Sequence, residues 1–441
     1  MYWLYSTLLA LAMLVSLPYW LFQMTRHGKY RAGFKERFGR VPERLQASGK
    51  PTIWVHAVSV GEVLAVSRLV QDLRSRFTDH QVVISTTTST GQKLARERFG
   101  IENVFYFPLD FAFALRRYIQ RVRPKLVIVA ETEFWPNFLR LVHASGARIA
   151  VVNARISDRS FRGYSSARPL LSKVLSRIDL FLAQTELDRK RLIQIGADPE
   201  RVHVAGNLKF DISPPQMLPI VASLRSAFQQ EDAGPVIVCG STVDGEEPLL
   251  LRAFEIVRGK NPRSVMILAP RQPQRFQAVA ALVASLGIPS WKRSLWSGEN
   301  LAGCVLLLDT IGELASVYSL ADVAFVGGSL VEHGGHNILE PAQYGVPVLV
   351  GPHYENFREI VNQFRAVDAV RVVGPAELPL TLADLASDYE QRAALGKRAL
   401  DAVRSQMGAT ERTLAALEPL LAMRIDKPTV NLSASGDHRT G

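Results

Sequence analysis

The stretch Val326-Gly327-Gly328-Ser329-Leu330-Val331-Glu332-His333-Gly334-Gly335-His336-Asn337-Ile338-Leu339-Glu340-Pro341 decides how the chain is read. Ala321 to Val326 has the character of a short buried strand and Asn337 to Tyr344 that of a helix, so the glycines fall in the turn between them. Glycine there admits positive φ and lets the backbone approach a ligand closely. The first N–H groups of the helix would face the loop, where the helix dipole favours an anion, and Glu340, one turn inside, could accept hydrogen bonds from ribose hydroxyls. A tight βα turn of an ordinary α/β domain is the alternative. His333, His336, Asn337, Glu340, Pro341 and Pro347 supply more polar and rigid groups than such a turn needs, which makes Gly328, Ser329, Gly334, Gly335, His336, Asn337 and Glu340 candidate nucleotide contacts.

Around this stretch, strands at Pro235–Cys239, Ser264–Ala269, Val305–Asp309, Val323–Val326 and Val346–Val350 alternate with helices at Gly245–Val257, Gln274–Leu286 and Ile311–Tyr318. The same alternation occurs earlier: strands at Thr52–Ala57, Val82–Ser85, Lys125–Ala130, Ala147–Asn153 and Asp179–Ala183, with helical patterns such as Ala112–Val122 and Glu186–Ile195. Both halves therefore predict parallel doubly wound α/β sheets, and two such domains in tandem bind ligands in the crevice at the carboxyl ends of their strands. Ala205–Asp211, followed by Pro214 and Pro215, divides them, giving a first domain over 26–211 and a second over 212–425, whose terminal helices lie within Pro379–Met407 and Ala409–Ala422. From about Asp426 the tail, 426–441, is polar and reads as disordered.

Chemistry-bearing residues gather at predicted strand ends. Ser59, Gly61 and Glu62 follow the first strand, where a lone carboxylate could serve as general base; a first-turn glutamate that only complements the helix dipole is the alternative. Glu131 and Glu133 lie in Ala130-Glu131-Thr132-Glu133-Phe134-Trp135-Pro136 and could orient an acceptor sugar or cap the helix that follows. In the second half, Ser241 and Thr242 sit in a small hydroxyl-rich turn suited to an N-cap or a phosphate. Ala269-Pro270-Arg271 ends a strand with a guanidinium able to pair with phosphate.

Composition bounds the rest. The chain has 441 residues, 47% apolar and 21% charged, which is globular and long enough for two domains. Cys239 and Cys304 sit in apolar runs without metal spacing. A net charge of +11 implies attraction to a polyanion. Residues 1–25 carry no charge and Tyr2–Phe22 is almost unbrokenly apolar with aromatic residues near both ends, which predicts a single N-terminal transmembrane anchor. Arg26, Lys29, Arg31, Lys35, Arg37, Arg40 and Arg44 then follow, against only Glu36 and Glu43, placing the bulk of the protein on the cytoplasmic side with the basic stretch on anionic lipid. No Walker A sequence, no Gly-x-Gly-x-x-Gly after a first strand and no His-Glu-x-x-His helix is present, which weakens kinase, dinucleotide oxidoreductase and zinc hydrolase readings.

Together Trp54-Val55-His56-Ala57-Val58-Ser59-Val60-Gly61-Glu62, Glu131-Thr132-Glu133-Phe134-Trp135-Pro136, Gly206-Asn207-Leu208-Lys209-Phe210 and Gly334–Pro341 make the chain resemble the 3-deoxy-D-manno-octulosonic acid (Kdo) transferases of lipopolysaccharide inner-core synthesis. The resemblance runs from the N-terminus and Arg37-Phe38-Gly39 to about residue 420. It implies a GT-B glycosyltransferase with two Rossmann-like domains, at the cytoplasmic face of the inner membrane, moving Kdo from CMP-Kdo onto the lipid A precursor (lipid IVA) with no cofactor or metal required. On this resemblance Glu62 matches the general base and Glu131 and Glu133 the acceptor side; Arg271 and the loop through Glu340 match the CMP side. Arg37 and Arg40 are candidates for the acceptor's phosphates. Two competing readings remain: a same-fold transferase or epimerase using a UDP-sugar, and a membrane-anchored protein that binds nucleic acid or anionic lipid. The last predicts basic residues clustered on one face, whereas much of this excess sits beside the anchor, so no nucleic-acid partner is expected.

Overall fold

The computed structural model describes residues 2–26, 33–45, 49–211 and 218–422, less the side chains of 19, 21 and 23–25. The predicted tail over 426–441, and Lys29 and Arg31 of the basic stretch, lie outside these residues. The chain divides into two compact units: the residues up to Asp211 together with those from Met407 onward, and those from Ile212 to Gln406.

In the first unit, β1 (Thr52–His56), β2 (Gln81–Thr86), β3 (Val104–Tyr106), β4 (Pro124–Ala130), β5 (Arg148–Ala154), β6 (Leu180–Ala183) and β7 (Val202–Val204) form one parallel sheet in the order β3-β2-β1-β4-β5-β6-β7. Its strands read as continuous apolar runs because helices cover both faces. One face packs Trp54, Phe105, Tyr118, Phe138 and Phe181; the other packs Ile53, Val55, Val66, Leu69 and Ile128. The short strands β3 and β7 are additions to the five expected.

The second unit holds β8 (Val236–Thr242), β9 (Val265–Pro270), β10 (Ser290–Lys292), β11 (Val305–Leu307), β12 (Val323–Val326), β13 (Val348–Val350) and β14 (Arg371–Val372), in the order β10-β11-β9-β8-β12-β13-β14, again parallel. In each sheet the winding reverses beside the first strand, between β1 and β4 and between β8 and β12. The carboxyl ends flanking such a reversal are where open α/β sheets bind ligands.

Three expectations need correction. The last helix, Ala409–Ala422, was expected in the second domain but packs in the first. Its Leu414, Leu417 and Leu421 join the buried cluster of Val55 and Val66, and the Asp211 carboxylate caps its start through the N–H groups of Gly408 and Thr410. The apolar stripe decides its place: left unburied, each of these leucines would forgo about 1.5–3 kcal/mol.

The helix after the glycine loop, expected from Asn337 to Tyr344, is a single turn, Leu339–Ala342. Pro341 brings no N–H to it and Gly345, at φ 72°, follows. So short a helix offers the loop no dipole of consequence.

At the amino terminus the helix Tyr2–Arg26 does form. Among the described residues, however, no helix is long and apolar enough to cross a membrane. Ser6, Thr7, Ser16 and Pro18 interrupt the apolar run, and the polar atoms of its first turns engage the body of the unit. The Asn137 amide donates to Ser6 Oγ at 3.0 Å, and Arg140 and Arg177 lie 4.8 and 5.2 Å from the Tyr2 ring centroid.

Candidate active site

In the first unit the β1 and β4 ends bring Ser59, Glu62, Glu131 and Glu133 together. Ser59 is the N-cap of the helix Val60–Arg76 and accepts from the Glu62 N–H, while the Glu62 side chain turns back over the helix start. This is the Ser-x-x-Glu pattern of a capping box, with the glutamate reaching the N–H one residue before the cap, and it fixes where the carboxylate lies. Glu62 Oε1 accepts from Ser59 Oγ at 2.9 Å and Oε2 from the Val58 N–H at 2.8 Å. Glu62 is 7% exposed. Burial, against these hydrogen bonds and with the negative charges of Glu131 and Glu133 acting on it, pushes its pKa up to about 7. A carboxyl group half ionised near neutral pH suits a general base. Gly61 is exposed in the same turn.

Glu131 sits at φ 56°, in the left-handed region, which costs a non-glycine residue about 1–3 kcal/mol. Its carboxylate is paired with Lys209 Nζ at 3.3 Å. Burial also raises the Glu133 pKa, with Glu131 adding to it. Lys209 was part of the quoted Gly206–Phe210 motif but carried no assigned role. Asn153 Oδ1 and Asn207 Oδ1 accept the N–H groups of Leu208 and Lys209, which hold that turn beside Glu131.

The arginines of the basic stretch differ from each other. Arg37 is part-buried, donates to the Thr87 carbonyl and lies 4.6 Å from the Tyr106 ring centroid, so its guanidinium is engaged within the unit. Arg40 is exposed.

In the second unit the β9 and β12 ends gather Arg271, His336, Asn337 and Glu340. Arg271 is exposed and its N–H donates to the Thr242 carbonyl at 2.8 Å. Pro270 before it is buried at the strand end. Burial, reinforced by the charge of Arg271, lowers the His336 pKa to about 4, so this imidazole is neutral at pH 7, and its Nε2 is buried without a hydrogen-bond partner among the described residues. The carboxyl of Glu340 is held above its usual range by burial, opposed by Arg271 and by a hydrogen bond from Asn337. Positive φ at Gly328, 69°, permits the turn, and a Cβ there would lie 2.9 Å from the His336 ring. Gly334 and Gly335 are buried.

Thr242, Ser329 and several loop N–H groups are committed elsewhere. Thr242 is buried and donates to Glu247 Oε1 at 2.9 Å. Ser241, partly exposed, has φ 56°. Ser329 is fully buried, with Oγ donating to the Val326 carbonyl and accepting from the Gly351 N–H. The N–H groups of Gly328 and Ser329 point to Glu246, and that of Gly335 to the Gly328 carbonyl at 2.6 Å. Among the described residues no group of three or more His, Cys, Asp or Glu side chains is arranged to hold a metal ion.

The family model described as 3-Deoxy-D-manno-octulosonic-acid transferase (kdotransferase) matches residues 32–212, and that described as Glycosyl transferases group 1 matches 293–401. The chain is 35% identical over 404 residues to the 3-deoxy-D-manno-octulosonic acid transferase of Haemophilus influenzae, covering 90% of this chain and 93% of that protein. To the enzyme of the same name from Bordetella pertussis it is 36% identical over 417 residues, 91% and 95% of the two chains. The solved structure of UDP-GlcNAc 2-epimerase from Neisseria meningitidis bound to UDP-GlcNAc is similar at 14% identity with a TM-score of 0.52, over 83% of this chain and 100% of that one, a likeness of fold alone. With its two parallel sheets the chain has a GT-B-like architecture, and by identity and coverage it belongs to the 3-deoxy-D-manno-octulosonic acid transferase family of glycosyltransferases.

Proposed function

We propose that this Kdo transferase moves Kdo from CMP-Kdo to a hydroxyl of the lipid A precursor, lipid IVA, by an inverting displacement in which Glu62 is the general base. The observation that carries the assignment is the Glu62 carboxyl itself: buried, fixed by its own helix cap, and with a pKa near 7. Glu62 takes the proton of the acceptor hydroxyl as that oxygen attacks the anomeric carbon and CMP departs, through a transition state of oxocarbenium character. Glu131 and Glu133, with Lys209, orient the acceptor. Arg271 meets the phosphate of the departing CMP, while neutral His336 and the Asn337–Glu340 pair contact the nucleotide. On this reading the side chains supply the charge stabilisation and no metal or cofactor is required.

Attachment to the cytoplasmic face of the inner membrane is part of the same proposal. Trp3, Leu4, Leu8, Leu11, Leu14 and Val15 of the first helix are exposed, and cationic Lys35 and Arg40 follow it, which supports contact with anionic lipid. Nucleic acid has no place in it.

The test is transfer from freshly generated CMP-Kdo to a tetraacylated lipid A precursor, with CMP and UDP compared as competing ligands. Product formation with inhibition by CMP and not by UDP is expected. Inhibition by UDP alone would turn the assignment to a UDP-sugar.

A further inference from the structure

Glu246 immediately precedes the helix Glu247–Lys260 and has no exposed surface. Its Oε1 accepts from the N–H groups of Ser329 and Leu330, both at 2.9 Å, and its Oε2 from those of Gly328 at 2.7 Å and Val243 at 2.9 Å. Four main-chain donors thus converge on one carboxylate. Successive N–H groups pointing into one concavity are the arrangement by which loops hold phosphate. Here the chain's own anion fills it.

The turn is gripped from its other side as well. Ser329 Oγ accepts from the Gly351 N–H at 2.8 Å and donates to the Val326 carbonyl at 2.6 Å. Space around it is tight: a Cβ on Gly327 would lie 2.9 Å from Glu246 Oε2 and 2.6 Å from the Ser241 carbonyl oxygen. From the turn the constraint passes onward, because the Gly328 carbonyl accepts from Gly335 at 2.6 Å and Gly328 lies directly against the His336 ring.

We propose that Glu246 is a positioning residue for the donor nucleotide: it replaces an anion among the N–H groups of Gly328, Ser329 and Leu330 and so fixes Gly335 and His336 where the nucleotide meets them. The inference rests on the reading of this unit as the CMP-Kdo side. It also reassigns the glycine loop. The N–H groups of Gly328, Ser329 and Leu330 are already taken by Glu246, which leaves the phosphate to Arg271 and the nucleotide to the segment Glu246 holds in place.

The experiment is calorimetric titration of the full chain with CMP, comparing wild type, Glu246→Gln and Glu246→Asp, with thermal melts and amide exchange at Gly328–Leu330. Steady-state kinetics for both substrates accompanies it. In E246Q one carboxylate oxygen becomes an NH2 group, so two of the four N–H donors lose their acceptor. Expected are a CMP affinity weaker by about tenfold or more and faster amide exchange in the turn. KM for CMP-Kdo should rise while KM for the acceptor stays put. E246D, which keeps the charge on a shorter stem, should fall between E246Q and wild type. A folded E246Q that binds CMP as wild type does overturns the proposal alone. Wild type that does not bind CMP removes the donor assignment and this inference with it. Equal shifts in both KM values, or loss of the folded state in both variants, assigns Glu246 to folding and overturns its positioning role.

Discussion

Each unit places a glutamate at the start of the helix that follows its first strand, Glu62 after β1 and Glu246 after β8, and the two carboxylates meet different sets of donors. Glu246 receives four N–H groups; Glu62 receives one N–H and one hydroxyl. Each donor to a carboxylate favours its ionised form, while burial and neighbouring anions favour the neutral one. Around Glu62 burial wins and Glu131 and Glu133 add to it, leaving a proton that can come and go near pH 7. Three of the four donors on Glu246 tie it instead to the turn Gly328–Leu330.

The largest effect that would break this contrast is on turnover. Glu62→Gln keeps the shape of the side chain and removes its ability to take a proton, so kcat should fall by about 10²–10⁴-fold with the melting behaviour retained. In the wild type kcat/KM should drop about tenfold per pH unit below pH 7, where Glu62 becomes protonated. A variant that retains its activity, or a profile flat from pH 5 to 8, would make Glu62 a helix cap and nothing more.

Next in size is a stability difference of the opposite sign. Because the folded-state pKa of Glu62 is raised from 4.5 to about 7, the native state binds this proton more tightly than the unfolded chain does. Its contribution is fully present below pH 4.5 and is lost as pH rises through 7, a change of about 3 kcal/mol. Denaturant unfolding of wild type and E62Q at pH 4.5 and pH 8 measures it: the gap should shift in favour of E62Q on going to pH 8. A gap independent of pH would mean that Glu62 ionises in the native state much as it does unfolded.

Much of the fold was legible because parallel strands buried on both faces leave unbroken apolar runs, from which ten of the strands follow, while the helix Ala112–Val122 follows from the three-to-four-residue spacing of its apolar residues. The strands β3, β7, β10 and β14 are the edges of the two sheets and two or three residues long, and His203, Lys292 and Arg371 break the apolar run in β7, β10 and β14. Glu62, Glu131, Arg271 and His336 were legible as candidates because each follows the carboxyl end of a strand, the side on which open α/β sheets bind ligands; where the winding reverses comes only from the fold. Glu246 was not singled out: Asp244-Gly245-Glu246-Glu247 reads as an ordinary acidic helix start, and only the fold brings Gly328–Leu330, more than 80 residues on, against it. Ser329 was misleading for the same reason, since sequence does not show whether a hydroxyl in a glycine loop turns outward or, as here, into the frame.

The smallest predicted effect is also the most specific to the neighbourhood of Glu62. Glu131→Gln removes an anion that raises the Glu62 pKa and releases Lys209 from its 3.3 Å pair, and both changes favour ionised Glu62. The acid limb of kcat/KM should therefore move to lower pH by about half a unit. Lys209→Met leaves the Glu131 charge uncompensated and should move the limb the other way by a similar amount. Opposite shifts from the two variants would show that Glu62 is tuned by its charged neighbours, in contrast to Glu246 with its four N–H donors. Shifts of one sign, or none, would leave burial as the whole cause.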